Sequence, residues 1–124
     1  SSDASSSLLP LKWHKHVFPT IQEQYQTVVP SRKLDTLFQE MKEKASDYSL
    51  MNIDIQGAEL LAFRGATNVL RHVEAVNAEV NFAELYEGCA LAHQVDDYLG
   101  AFGFRRMMTT LYHPSFGDAF YVKR

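Results

Sequence analysis

The chain has 124 residues, room for one domain and too few for two. Hydrophobic residues make up 46% and charged residues 22%, the balance of a chain that can build a core rather than of a disordered tail. Net charge is -3 and no run of Lys or Arg forms a basic stripe, which argues against a nucleic-acid partner, and no apolar run approaches the length of a membrane span. Cys89 is the one cysteine, so no internal disulfide is expected, in keeping with a reducing, cytoplasmic setting. The opening Ser1-Ser2-Asp3 has neither Met nor an apolar leader and reads as the start of a processed or cut piece.

Residues 1–7 are polar and small and read as loop. Residues 8–30 mix apolar side chains, histidines and three prolines without a clean period, with a short helix expected near 11–16 and a strand near 24–29. Leu34, Leu37, Phe38, Met41 and Ala45 then recur at helical spacing, with Ser31 placed to cap the start. A short strand is expected over 50–55 and a helix over 58–72, where Ala62, Ala66, Val69, Leu70 and Val73 make the apolar side. A second strand covers 73–82, with Val76, Ala78, Val80 and Phe82 on one face. Leu91, Val95, Tyr98, Leu99 and Phe102 mark a third helix that Gly103 terminates, and strands at 104–111 and 118–123 flank a turn at 113–117.

Strand–helix–strand alternation from residue 50 implies parallel strands, and the short final turn implies an antiparallel hairpin. The expected fold class is therefore α/β, with residues 1–124 a single partial domain. Residues 1–30 form an irregular segment and residues 31–124 a helix followed by strand-helix-strand-helix-strand-strand.

The most informative stretch is Met51-Asn52-Ile53-Asp54-Ile55-Gln56-Gly57-Ala58-Glu59-Leu60, a strand ending in Asp, then an amide, Gly, Ala, Glu and a helix. With Phe63-Arg64-Gly65-Ala66, Ala78-Glu79-Val80, Glu84-Leu85-Tyr86-Glu87-Gly88 and Lys33-Leu34-Asp35-Thr36-Leu37, it resembles the FkbM family of methyltransferases over nearly the whole chain. Asn52 stands where the family often has Lys, and Asn77 interrupts a strand that is usually more apolar. The resemblance implies the second half of a Rossmann-like class I methyltransferase sheet. It implies S-adenosylmethionine as cofactor and transfer of a methyl group to a hydroxyl of a small molecule or sugar. The family's Gly-rich turn and ribose-binding carboxylate have no counterpart here, so no residue is assigned to cofactor binding and the isolated chain is expected to be inactive. The alternative is a non-catalytic remnant that binds or assembles.

Ligands in open α/β sheets sit beyond the carboxyl ends of the strands. Asp54 and Glu79 fall at the ends of strands about 4.8 Å apart. They could hold a divalent cation, as catechol-type O-methyltransferases suggest by analogy, or one could serve as general base. Glu59, at a helix start that favours negative charge, is the third candidate catalytic residue. Each also has a structural reading: Asp54 and Gly57 shaping a turn, Glu59 capping backbone N–H groups. Ser5 to Ser7 could line the acceptor pocket, and Tyr86 could stack on a substrate or pack on its loop. The five histidines lack metal-ligand spacing and are expected to be surface or satisfied groups, and Cys89 to be inert. The apolar strand from Leu50 to Ile55 is expected to need a neighbour: a preceding half-domain, a second copy, or the segment 8–29 folded back.

Overall fold

The computed structural model describes residues 6–23 and 25–124. Its elements are α1 (His14–Val17), α2 (Leu34–Glu40), a 3-10 turn (Ala45–Asp47), β1 (Leu50–Ile53), α3 (Glu59–Arg64), α4 (Thr67–His72), β2 (Ala75–Asn81), α5 (Ala92–Gly100), β3 (Phe104–His113) and β4 (Phe116–Lys123). The strands make one mixed sheet in the order β1-β2-β4-β3. β1 and β2 are parallel, as the strand-helix-strand pattern requires, and β4 runs antiparallel to both β2 and β3. None of the helices is long and apolar enough to cross a membrane among the described residues.

Strand alternation assigns the two faces. Val76, Ala78 and Val80 of β2 and Ala119 and Tyr121 of β4 point into one core with Phe63, Leu70, Val95 and Leu99 of the helices. Asn77, Glu79 and Asn81 point the other way, where Asp118 and Phe116 of β4 are the register partners of Glu79 and Asn81. A smaller cluster of Leu11, Leu85, Tyr86 and Cys89, with Phe116 packed against it, lies under the N-terminal segment. Backbone N–H groups of Lys12 and His14 donate to the Leu85 carbonyl, and that of Trp13 to Glu84, so residues 12–14 are tied to the loop after β2.

Several boundaries differ from the sequence expectation. The helix expected over 58–72 is two helices broken at Gly65 and Ala66. The Asp35 carboxylate accepts from Thr67 Oγ1 at 3.1 Å and from the N–H groups of Asn68 at 2.9 Å and Val69 at 3.2 Å, restarting the helix from outside. The helix that begins at Leu34 stops at Glu40 because Lys42 turns left-handed, at φ 57°. Glu43 N–H then donates to Phe38 O and Lys42 N–H to Gln39 O, which closes the helix and drops Ala45 into the 3-10 turn. Ser31 does not cap this helix. Its first residue follows Lys33, and the Asp35 N–H in its first turn finds the Gly65 carbonyl. The short helix expected near 11–16 begins only at His14 and ends at Val17.

The strand expected over 24–29 is absent from Tyr25 to Val29, while Gln24 lies outside the described residues. Tyr25 and Val28 are among the most exposed apolar side chains, and an extended segment with no neighbouring strand has nowhere to place its backbone hydrogen bonds except water. β1 is an edge strand. Leu50 is 55% exposed, and among the described residues no strand pairs with the outer side of β1. Phe82, expected on the apolar face, lies past the end of β2 and is exposed. The two asparagines that break the apolar pattern face each other in register, and Asn77 Nδ2 donates to Asn52 Oδ1 at 2.9 Å. Each is the other's partner across the strands.

Candidate functional site

Parallel pairing puts the carboxyl ends of β1 and β2 at one rim of the sheet. Ile53 is opposite Ala78, so the next residues along, Asp54 and Glu79, stand side by side. Their carboxyl groups are close enough to hydrogen-bond each other. Two carboxylates in such contact must share a proton. Burial pushes the Glu79 carboxyl up to about 9, helped by the hydrogen bond to Asp54 and then by the charges of Asp54, Glu59 and Asp118. Glu79 therefore carries its proton at neutral pH, while Asp54 lies exposed at the rim.

The turn between β1 and α3 holds this pair in place. Gln56 adopts φ 54° and Gly57 φ 99°, a double left-handed turn. A Cβ on Gly57 would sit 2.9 Å from Tyr86 Cδ2 and 3.1 Å from Cys89 Cβ, so the backbone is pressed against the 86–89 loop and only glycine fits. The turn aims the Gln56 amide back at the rim. Its Nε2 donates to Asp54 Oδ1 at 2.8 Å, and its Oε1 accepts from the Tyr86 hydroxyl at 2.7 Å. Ser7 Oγ donates to the Gln56 carbonyl at 2.6 Å, which puts one member of the serine loop at the site's edge. Ser5 lies outside the described residues.

Glu59 is 3% exposed and faces inward. Its Oε1 accepts from the N–H groups of Ile55 at 2.9 Å and Gly57 at 3.3 Å. Burial pushes its carboxyl up, and the hydrogen bonds from the backbone pull it back down. This geometry is that of a brace inside the turn. Of the three candidate catalytic carboxyls, Asp54 and Glu79 meet at the rim and Glu59 supports them from below.

Beside Glu79 lies a cleft of about 150 Å³ lined by His14, Phe18, Gln56, Leu85, Tyr86 and Phe116 as well. Tyr86 is 1% exposed, and burial raises its phenol well above the ordinary range, so it acts as a neutral hydrogen-bond donor. His14 departs from the expectation of a surface or satisfied histidine. It is 3% exposed, and its Nδ1 has no hydrogen-bond partner among the described residues. No periodic or motif signal marks it, because its burial depends on the loop after β2, some 70 residues further along. Cys89 is buried and its thiol pushed up by that burial, which keeps it protonated and unreactive.

The paired carboxyls at adjacent parallel strand ends stand beside a small cleft at the carboxyl rim, the side of the sheet on which open α/β folds hold their ligands. The methyltransferase FkbM domain matches residues 2–106, and the chain belongs to this family of methyltransferases. Neither a curated protein nor a solved structure matches it.

The turn after β1 does not fit the cofactor that this family implies, S-adenosylmethionine. The strand-to-helix turn after β1 contains one glycine, Gly57, and Tyr86 and Cys89 already cover it. A metal would meet two carboxyls and an amide donor. Gln56 Nε2 already donates one hydrogen to Asp54 Oδ1, and among the described residues no group of three or more His, Cys, Asp or Glu side chains is arranged to hold an ion.

Proposed function

We propose that this chain is the acceptor-side half of an O-methyltransferase, built on the second half of a Rossmann-like class I sheet. The hydroxyl of a small molecule gives up its proton at the Asp54–Glu79 pair as its oxygen takes the methyl group. The observation that carries this reading is the side-by-side placement of Asp54 and Glu79 at adjacent strand ends. Asp54, exposed at the rim beside Glu79, is the group assigned to accept the hydroxyl proton. Gln56 and Tyr86 fix Asp54 in the required orientation. The reversed β4 beside a parallel pair supports the sheet assignment. A water-accessible carboxylate acting as base needs no divalent cation, and the setting is cytoplasmic.

The methyl donor is held by residues other than those described, so the 124-residue chain binds S-adenosylmethionine weakly or not at all. Isothermal titration of this chain with S-adenosylmethionine tests that statement, and micromolar affinity would refute it. The proton-acceptor assignment is tested by methyl transfer to a panel of hydroxylated acceptors, using the complete reading frame. Asp54→Asn lowers kcat by about 10²- to 10⁴-fold, the usual contribution of a general base. A variant that turns over at the wild-type rate excludes Asp54 as the base. Restoration of that rate by added Mg²⁺ would favour a metal in its place.

A further inference from the structure

β3 is the outermost strand on one side of the sheet, and only one of its ten side chains, Phe104, is buried. Among the described residues no strand pairs with its outer side, so alternate backbone N–H and C=O groups along it face water. Met107, Met108, Leu111 and Tyr112 are 49%, 61%, 56% and 65% exposed. Edge strands are commonly blunted by Lys, Pro or an inward-pointing charge, and residues 107–112 contain none of these. Two bulges interrupt the pairing with β4, between Arg106 and Met108 and between Leu111 and His113, but they flank the block 108–111 and leave it regular. The nearest cation, Arg106, is already held by Asp96 through Nε at 3.0 Å and through a second nitrogen at 2.9 Å.

We infer that β3 is a self-association edge, which pairs antiparallel with β3 of a second copy about a two-fold axis at Thr110 and makes one continuous sheet of the two. Such an axis stands perpendicular to the sheet, so residues that meet across it lie on the same face. The register with β4 assigns those faces. Thr109 and Leu111 lie opposite Ala119 and Gly117, on the face covered by helices, while Met108 and Thr110 lie opposite Phe120 and Asp118, on the other. Tyr112 shares this second face, since its hydroxyl donates to Asp118 Oδ2 at 2.7 Å. An axis at Thr110 sets Met108 against Tyr112 of the second copy, Thr109 against Leu111, and Thr110 against its own counterpart. Each pair matches in face and in chemistry: thioether on aromatic ring, methyl on leucine, hydroxyl on hydroxyl. Arg105 and Arg106 then fall against the second copy's uncharged turn at 114–115. Moving the axis to Thr109 sets Arg106, on the helix-covered face with Tyr121, against Tyr112 of the other face. Moving it further back brings the arginines of the two copies toward each other, like charge against like. The strand is thus complementary to itself, in pattern and in charge, in one register, which selects a second copy over an unrelated peptide.

Sedimentation velocity of the full chain, from about 10 μM to about 1 mM, reads the association, with an expected dimer Kd on the order of 100 μM, the weak range of a small edge contact. Cysteine substitution reads the register. Residues directly opposite on antiparallel strands have Cα atoms about 4.5–5.5 Å apart, within disulfide reach. Thr109 and its counterpart are offset by two residues along the strands, about 8 Å apart and out of reach. Thr110→Cys therefore forms a covalent dimer under mild oxidation about tenfold faster than Thr109→Cys, and Cys89 stays buried in both. Met108→Lys changes an exposed side chain and leaves the monomer's core intact, which circular dichroism checks, while it weakens the dimer about tenfold. The inference is overturned by a chain that remains monomeric at about 1 mM, or by equal crosslinking of the two cysteine variants. It is equally overturned by a dimer that Met108→Lys leaves unchanged and whose amide protection falls at Met51 to Ile53 rather than at residues 107–112. None of these readouts involves methyl transfer, so the outcome is independent of the Asp54→Asn kinetics.

Discussion

Replacing Glu79 with glutamine tests the shared proton directly, through stability. The Glu79 carboxyl is raised from 4.5 to about 9 in the folded chain. Below pH 4.5 both folded and unfolded states carry the proton, and the group costs nothing. As pH rises past 4.5 the unfolded chain releases the proton while the folded chain keeps it, so stability declines steadily until about pH 9. At about 1.4 kcal/mol per pH unit the enclosed limit is roughly 6 kcal/mol. The carboxyl opens on the cleft, where water screens it, which reduces the expected loss to about 2 kcal/mol. Glutamine keeps a donor toward Asp54 at every pH. Urea unfolding followed by circular dichroism should give near-equal stability for wild type and Glu79→Gln at pH 4.5. At pH 9 the variant should be about 2 kcal/mol more stable. A difference that stays constant across this range would show that Asp54 and Glu79 do not share a proton, and the site would lose its acid–base logic.

Gly57→Ala combines a left-handed backbone with a Cβ driven against Tyr86, and should destabilise the chain by about 2–3 kcal/mol in the same unfolding assay. A cost below about 0.5 kcal/mol would mean the 86–89 loop gives way freely. Glu59→Ala strands the N–H groups of Ile55 and Gly57, and should lower the thermal midpoint by the equivalent of about 2 kcal/mol. An unperturbed midpoint would return Glu59 to the list of groups facing substrate. Amide hydrogen exchange at Met51 to Ile53, read across a concentration series, reports on the open edge of β1. Protection that grows with concentration is expected if a second copy pairs there, whereas fast exchange at every concentration would show that the edge tolerates water.

The sheet was readable because its signals are local. Alternation over Val76, Ala78 and Val80, and the turn residues around Gly57 and Pro114, are each contained within a few positions. Asp54 and Glu79 were legible for a related reason, since parallel pairing of two recognised strands places their ends together. What escaped prediction depends on distant partners. The break at Gly65 answers to Asp35, and the early stop of α2 to a left-handed Lys42, a residue type that gives no warning of such a turn. Ser31 had the chemistry of a cap but not the position, because the helix starts two residues later. His14 reads as an ordinary polar residue until Leu85 and Tyr86 close over it. Glu59 was placed correctly on the chain, yet its inward orientation follows from the N–H groups of a turn whose shape depends on Tyr86.

The carboxylate of Asp35 also sets an order of events during synthesis. The hydroxyl of Thr67 that it binds lies 32 residues further along. At about 5–20 residues per second, a ribosome needs roughly 2–6 seconds to deliver it. Over that interval α2 is an isolated seven-residue helix, far too short to persist in water by itself. α4, with six residues, is no better placed when it emerges. Neither helix has independent standing, and each becomes durable only when the other arrives. The pair is therefore a late, joint acquisition of the nascent chain, made when residues 67–69 clear the exit tunnel.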